Sequence, residues 1–312
     1  MSKIIVIGSS NTDLIATMKR FPMAGETLQG RSFLQAMGGK GGNQAMSAHK
    51  LGGDVQFISC LGTDENGRNT LTYYTREQLD VSKVLLVENA ASGTAMIWVD
   101  DNGENSIVIN PGANMMLSPE YVCGLETEIA NAAMVVVQLE IPYETVQKIC
   151  GIAVKNKTKI LLNAAPAGKI DRETLKRVDY LVVNETEAEI ISGVSLETFG
   201  QEEVLDKLLA MGAKAVMLTL GEKGCLFKTR QTMLYSPAFV VDAKDTTAAG
   251  DVFCGALAVE LCRETDWETA LTFASAASAL CVTRIGAQPS IPTEEEVRDF
   301  LRKKGRPNDL VR

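Results

Sequence analysis

Short, unbroken apolar runs alternate with stretches of helical spacing along almost the whole chain, and few folds accommodate that rhythm. Runs at 3–7, 55–60, 134–139, 159–162, 180–183 and 215–218 read as strands, while 66–79, 143–154, 203–211 and 268–282 carry apolar residues at helical intervals. The strand runs are continuous rather than alternating, so both of their faces must be covered. That is the signature of parallel strands joined by crossover helices. The expectation is an α/β fold with a mostly parallel central sheet flanked by helices on both faces. One segment departs from the pattern. Thr94-Ala-Met-Ile-Trp-Val99 and Ser106-Ile-Val-Ile109 flank the turn Asp100-Asp-Asn-Gly-Glu-Asn105, which predicts an antiparallel hairpin. Extended pieces near 12–18 and 27–36 join it in a small separate sheet. The chain is therefore expected to form a single domain over 1–312 with a small β-sheet lid from about 12–36 and 94–110. A lid over a site, a dimerisation surface and an edge hairpin without a role are all compatible with that insertion.

Composition limits the function classes. The 31 basic and 39 acidic side chains leave a net charge of -8, which argues against a general nucleic-acid or membrane-surface binder. Seven cysteines (Cys60, Cys123, Cys150, Cys225, Cys254, Cys262 and Cys281) form no CxxC pair, and several lie in apolar runs. Buried free thiols in a reducing cytoplasm are expected, with neither a zinc site nor a disulfide frame. The apolar start of the chain is too short for a signal peptide, and no run is long enough to span a membrane. The single histidine, His49, sits beside Lys50 in a helical stretch and is expected at the surface. Proton chemistry therefore falls to carboxylates.

The run Asp245-Thr-Thr-Ala-Ala-Gly-Asp251 lies between a strand-like segment at 238–242 and a helix-like one at 250–262. Small residues leave the first N–H groups of a helix uncovered, and those groups favour an anion. Gly250 lets a phosphate approach the backbone. An acid one residue further on is out of place if anion binding is the whole task. Asp251 makes sense as a base that takes a proton from a hydroxyl attacking a phosphoryl group. A well-capped helix start is the competing reading.

Gly38-Gly-Lys-Gly-Gly-Asn43 is neither a Walker A loop nor a GxGxxG turn. Its glycines admit a small ligand close to the backbone, while Lys40 and Asn43 supply donors. With Asn11 and Asp13 after the first strand, it makes a set suited to neighbouring hydroxyls. Glu140, Asn184, Glu187 and the glycines at 221 and 224 also follow strand ends, where ligands sit in open parallel sheets.

The pairing of Gly38-Gly-Lys-Gly-Gly-Asn43 with Asp245-Thr-Thr-Ala-Ala-Gly-Asp251 resembles the ribokinase family of sugar kinases. Asn11-Thr-Asp13, Asn184-Glu-Thr-Glu187, Thr219-Leu-Gly-Glu-Lys-Gly224 and Thr283-Arg-Ile-Gly-Ala-Gln-Pro-Ser-Ile-Pro292 extend the likeness over essentially the whole chain. The resemblance implies ATP-dependent phosphorylation of D-ribose at its 5-hydroxyl. It implies that Asn11, Asp13, Gly39, Lys40, Gly41, Gly42, Asn43, Glu140 and Asp251 hold the sugar. Asp251 is then the base, and the backbone of Ala248, Ala249 and Gly250 is the anion hole. Asn184 and Glu187 organise Mg2+ and the triphosphate. Thr219, Leu220, Gly221, Glu222, Lys223, Gly224, Gly250 and Ser275 line the nucleotide. An activating K+ is expected near Asp245, Thr247, Cys281, Arg284, Gly286 and Ser290, held largely by backbone carbonyls. A homodimer through the lid is expected as well.

Three positions depart from the family pattern: Ser275 stands where His or Asn is common, Asn163-Ala-Ala-Pro166 where Asn-Pro-Ala-Pro is usual, and Gly42 where Ala is commoner. The contacts to the base are left open. Competing functions are a kinase for another sugar, 2-deoxyribose above all, and a non-catalytic sugar or nucleotide sensor. A nicotinamide-dependent dehydrogenase would need a glycine fingerprint after the first strand, which is absent.

Overall fold

A computed structural model describes residues 2–305, so residues 1 and 306–312 of the expected domain lie outside the described residues. Fourteen strands are described: β1 (Lys3–Ile7), β2 (Asn11–Thr17), β3 (Ser32–Gly38), β4 (Asp54–Ile58), β5 (Cys60–Gly62), β6 (Leu85–Val87), β7 (Gly93–Val99), β8 (Asn105–Asn110), β9 (Met134–Val137), β10 (Lys159–Asn163), β11 (Tyr180–Asn184), β12 (Ala215–Thr219), β13 (Cys225–Lys228) and β14 (Met233–Ser236). The main sheet has the order β14-β13-β12-β11-β10-β9-β1-β4. It is parallel from β4 to β12, and β13 and β14 close one edge antiparallel.

Successive strand residues point to opposite faces, and the core divides accordingly. Ile5, Ile7, Val135, Val137 and Leu162 pack with Val146 and Ile149 of helix Tyr143–Asn156 on one face. Ile4, Val6, Val136 and Leu161 pack on the other face with Met46 of helix Lys40–Lys50 and with helices Ala249–Cys262 and Trp267–Val282. Both faces are covered, as the continuous apolar runs require.

The inserted segment forms its own four-stranded sheet, β3-β2-β7-β8. In its register Asp13 lies opposite Ala36 and Ala95, and Ala95 opposite Ile109, so these four share one face. Phe33 and Trp98, both opposite Ala16, share the other face with Met96 and Val108. Residues 18–31 connect β2 to β3 without strand structure.

Two sequence expectations are corrected. Residues 238–242 form no strand. Pro237 follows β14 and has no N–H for a further ladder, and the segment runs on unpaired with Val240 91% exposed. His49 is half-buried rather than on the surface, with Nε2 2.9 Å from the Glu77 carbonyl. Of the free cysteines, Cys60, Cys150, Cys225, Cys254 and Cys281 are buried as expected, whereas Cys123 is exposed and Cys262 half-buried. Among the described residues no helix is long and apolar enough to cross a membrane.

Candidate active site

β1 lies between β4, which follows it on one side, and β9, from which the sheet continues the other way. The connections after β1 and β9 run over opposite faces, so a crevice opens between their carboxyl ends, the usual ligand position in such sheets. Ser9 Oγ bridges it by donating to Glu140 Oε2 (2.5 Å). The same oxygen accepts the Lys40 N–H (3.0 Å) at the first residue of helix Lys40–Lys50. Glu140 thus sits at the positive end of that helix.

The glycine run seats this helix against the end of β1. Gly39 has φ 83°, and a Cβ there would lie 2.7 Å from the Asn11 nitrogen. A Cβ on Gly41 would lie 2.6 Å from the Gly8 carbonyl carbon, and one on Gly42 2.3 Å from the Tyr74 hydroxyl. The helix begins at Lys40, so Gly41 and Gly42 are helical residues whose close neighbours are protein. Asn11 and Asp13 project from β2, both buried. Asn114, which sequence reasoning missed, donates to Asn11 Oδ1 (2.7 Å) and accepts from the Ser10 N–H (2.8 Å), fixing the Asn11 amide.

Asp251 occupies the first turn of helix Ala249–Cys262 and is 7% exposed. Asn43 Nδ2 donates to its Oδ2 (2.9 Å) and Gln44 Nε2 to its Oδ1 (2.9 Å). Burial raises its pKa, opposed by Lys40, Asn43 and Gln44, and Glu140 raises it further. Asp13 is pushed up to about 7 by burial and by the Glu140 and Asp251 charges. Burial also raises Glu187, against the Asn184 N–H and Lys40. Lys40 balances this group: burial favours its neutral form, but Asp251, Glu140 and Glu187 together lift its pKa.

The residue before this helix, Ala248, is left-handed (φ 62°) and gives the helix no side-chain cap. The positive end of a 14-residue helix is therefore open. It faces a cavity of about 530 Å³ lined by Thr219, the stretch 221–224, Ala249, Gly250 and Ser275. A Cβ on Gly250 would meet no atom within 4 Å. Leu220 departs from its neighbours: its side chain is buried in the core, while its N–H donates to the Gly224 carbonyl (2.8 Å). The apolar walls Val240, Val241, Ala279 and Val282 were not anticipated. The Val240-Val241 pair had the look of a strand, which hid it.

Asn184 and Glu187 form a reciprocal capping box: Asn184 Oδ1 accepts the Glu187 N–H (2.8 Å) and Glu187 Oε2 accepts the Asn184 N–H (2.9 Å). Among the described residues no cluster of three or more His, Cys, Asp or Glu forms a metal cage. The oxygen donors of Asn184 and Glu187 fit Mg2+, which keeps waters and phosphate oxygens as its main ligands. Before helix Ala249–Cys262, Asp245 ties two loops together, accepting the N–H of Thr247 (2.9 Å) and of Gly286 (2.8 Å). Ser290 Oγ donates to the Ala287 carbonyl and lies 3.0 Å from Cys281 Sγ. Burial pushes the Cys281 thiol up to about 11, so it stays protonated. The Arg284 guanidinium is paired with Glu296 (2.6 Å). With the Cys281 thiol protonated and Arg284 paired, the Asp245 carboxylate is the charged donor of these loops, a hard oxygen that fits K+ and not a soft metal.

A family model described as pfkB family carbohydrate kinase matches residues 1–294. The chain belongs to the pfkB family of carbohydrate kinases. A ribokinase of Haemophilus influenzae is 39% identical over 302 residues, covering 96% of this chain and 98% of that protein. A deoxyribokinase of Salmonella typhi is 36% identical over 300 residues, covering 96% and 98%. The structure of Arabidopsis thaliana ribokinase complexed with ribose and ATP superposes with a TM-score of 0.91 at 32% identity, covering 96% of this chain and 98% of that one. The family assignment bears out the sugar-kinase resemblance and the doubly covered sheet with its small second sheet. A carbohydrate kinase must bring an acceptor hydroxyl and a phosphoryl donor together. Here Asp251 stands between a polar crevice and an open helix end on a cavity.

Proposed function

We propose that this protein transfers the γ-phosphoryl group of ATP to the 5-hydroxyl of D-ribose, giving D-ribose 5-phosphate and ADP. The observation that carries the reading is the placement of Asp251, bonded to Asn43 of the glycine-run helix while beginning a helix whose uncapped end opens on the cavity. The relatives named ribokinase support the choice of sugar.

Asn11, Asp13, Gly39, Lys40, Asn43 and Glu140 hold the ribose, with carboxylates and amides spanning adjacent hydroxyls, while Gly41 and Gly42 seat the helix that carries Lys40 and Asn43. ATP lies in the cavity, with Ser275 and the stretch from Thr219 through Leu220 to Gly224 beside it. The 5-hydroxyl oxygen attacks the γ-phosphorus, the bond to the ADP oxygen breaks, and the hydroxyl proton passes to Asp251. A carboxylate with a raised pKa is the better proton acceptor. The N–H groups at 248–250 receive charge on the moving phosphoryl group. Asn184 and Glu187 would hold Mg2+ beside the triphosphate, where the ion would neutralise phosphate charge. Asp245, Thr247, Cys281, Arg284, Gly286 and Ser290 are the residues near which K+ would be held, largely by backbone carbonyls, and its charge would steady the two loops that Asp245 joins. The lid excludes water from the sugar, and its exposed apolar face, with Phe33 67% and Val108 56% exposed, joins a second copy in a homodimer. The buried free thiols suit the cytoplasm.

Phosphorylation of 2-deoxyribose is the second reading, because a deoxyribokinase is nearly as similar as the ribokinase. ADP release measured with ATP and Mg2+, with D-ribose or 2-deoxyribose, in potassium and in sodium buffer, separates them. Ribose-dependent turnover raised by potassium is the expected result. Preference for 2-deoxyribose moves the substrate, and silence on every sugar leaves a sensor.

A further inference from the structure

The base is gripped by more than the sugar-binding residues. Gln44, fully buried on helix Lys40–Lys50, uses both amide hydrogens on acceptors: Asp251 Oδ1 (2.9 Å) and Asn163 Oδ1 (3.0 Å). Its own oxygen accepts from Gln138 Nε2 (2.6 Å), and Gln138, just beyond β9, is fully buried too. Asn163, at the end of β10, is turned by its donation to the Val182 carbonyl (3.4 Å) on β11. Every amide in this chain therefore has one orientation. A flipped Gln44 would set its oxygen against a carboxylate and a carbonyl while its N–H groups faced the Gln138 donor.

We infer that Gln44 is a positioning residue for phosphoryl transfer, which with Gln138 and Asn163 fixes the Asp251 carboxylate toward the acceptor hydroxyl. The inference rests on the reading of Asp251 as the base. Asn43 engages the other carboxylate oxygen, so the plane of the carboxylate is set by two donors on one helix, one for each oxygen. A neutral amide suits this position. A cation would hold the base's pKa too low, and a carboxylate could donate nothing. The groups facing Asp251 are otherwise charged or titratable: Lys40 on the same helix, Glu140 beyond β9, Asp13 on β2, Glu187 on helix Glu185–Ser192, and the thiols of Cys254 and Cys281. Loss of the Gln44 donor moves the base toward a higher pKa against that background.

Gln44→Met keeps the volume and removes the donor. With D-ribose and ATP, kcat should fall about ten- to a hundredfold while KM for the sugar changes little, the loss expected for a hydrogen bond to a charged group. The acidic limb of kcat/KM should move up by about one pH unit. Gln138→Met, which does not touch Asp251, should shift the limb the same way by less, and it carries the test if Gln44→Met fails to fold. Unchanged kcat and limb in the folded variants, or a loss of thermal stability alone, overturns the inference. Asp251→Asn is measured alongside. If it turns over normally, the base reading has failed and the inference falls with it. If it is inactive while Gln44→Met matches wild type, the Gln44 inference alone fails.

Discussion

Asp251 and Asp13 are both buried acids, yet burial serves them differently. The base role assigned to Asp251 predicts that Asp251→Asn lowers kcat by about 10²–10⁴-fold while calorimetry finds ribose binding nearly intact. Near-normal turnover would remove the assignment. Asp13, raised to about 7, destabilises the ligand-free fold once it ionises. A group with a raised folded pKa stabilises fully below its unfolded value and loses that contribution as pH rises through the folded one. The window here runs from roughly pH 4 to pH 7. Asp13→Asn should therefore match wild type in stability near pH 4 and exceed it at pH 8, on the order of a few kcal/mol, while binding ribose more weakly. Thermal melts at the two pH values check this, and a difference that does not change with pH would contradict it.

At the scale of elements, the two glycine-bearing helix starts have opposite needs. The one at Gly41 is packed against β1, and the one at Gly250 opens on the cavity. Gly41→Ala should destabilise by about 1–3 kcal/mol through overpacking against backbone. Gly250→Val should leave the melting temperature almost unchanged and abolish turnover by filling the place of the phosphoryl group. Equal effects of the two on stability would contradict this division. The sequence showed which of its elements would pair in parallel, because continuous apolar runs cannot face water. It showed Asp251 and the glycine run, because residue type and spacing carry that chemistry. It did not show that Gly41 and Gly42 belong to packing, since a glycine needed for a ligand and one needed for a neighbouring backbone look alike. Nor did it show Gln44, Gln138, Asn163 and Asn114, whose importance comes from partners 94–207 positions away. The β13–β14 hairpin was also missed, being short and antiparallel at the edge of a parallel sheet.

For the whole molecule, the small sheet offers two different faces. One carries Asp13 toward the sugar crevice. The other exposes Phe33, Met96, Trp98 and Val108, a patch that in water favours association. If two copies join there, Trp98→Glu should sediment as a monomer where wild type is a dimer, with a raised KM for ribose and an unaltered core. An unchanged sedimentation coefficient would contradict the lid interface. The central claim is the transfer of phosphate from ATP to one particular hydroxyl. Phosphorus NMR of the product formed from ATP, Mg2+ and D-ribose tests it most directly. A phosphorus signal coupled to the two C5 protons of ribose is the predicted result. Coupling to the single anomeric proton, or no ribose-dependent product, would contradict it.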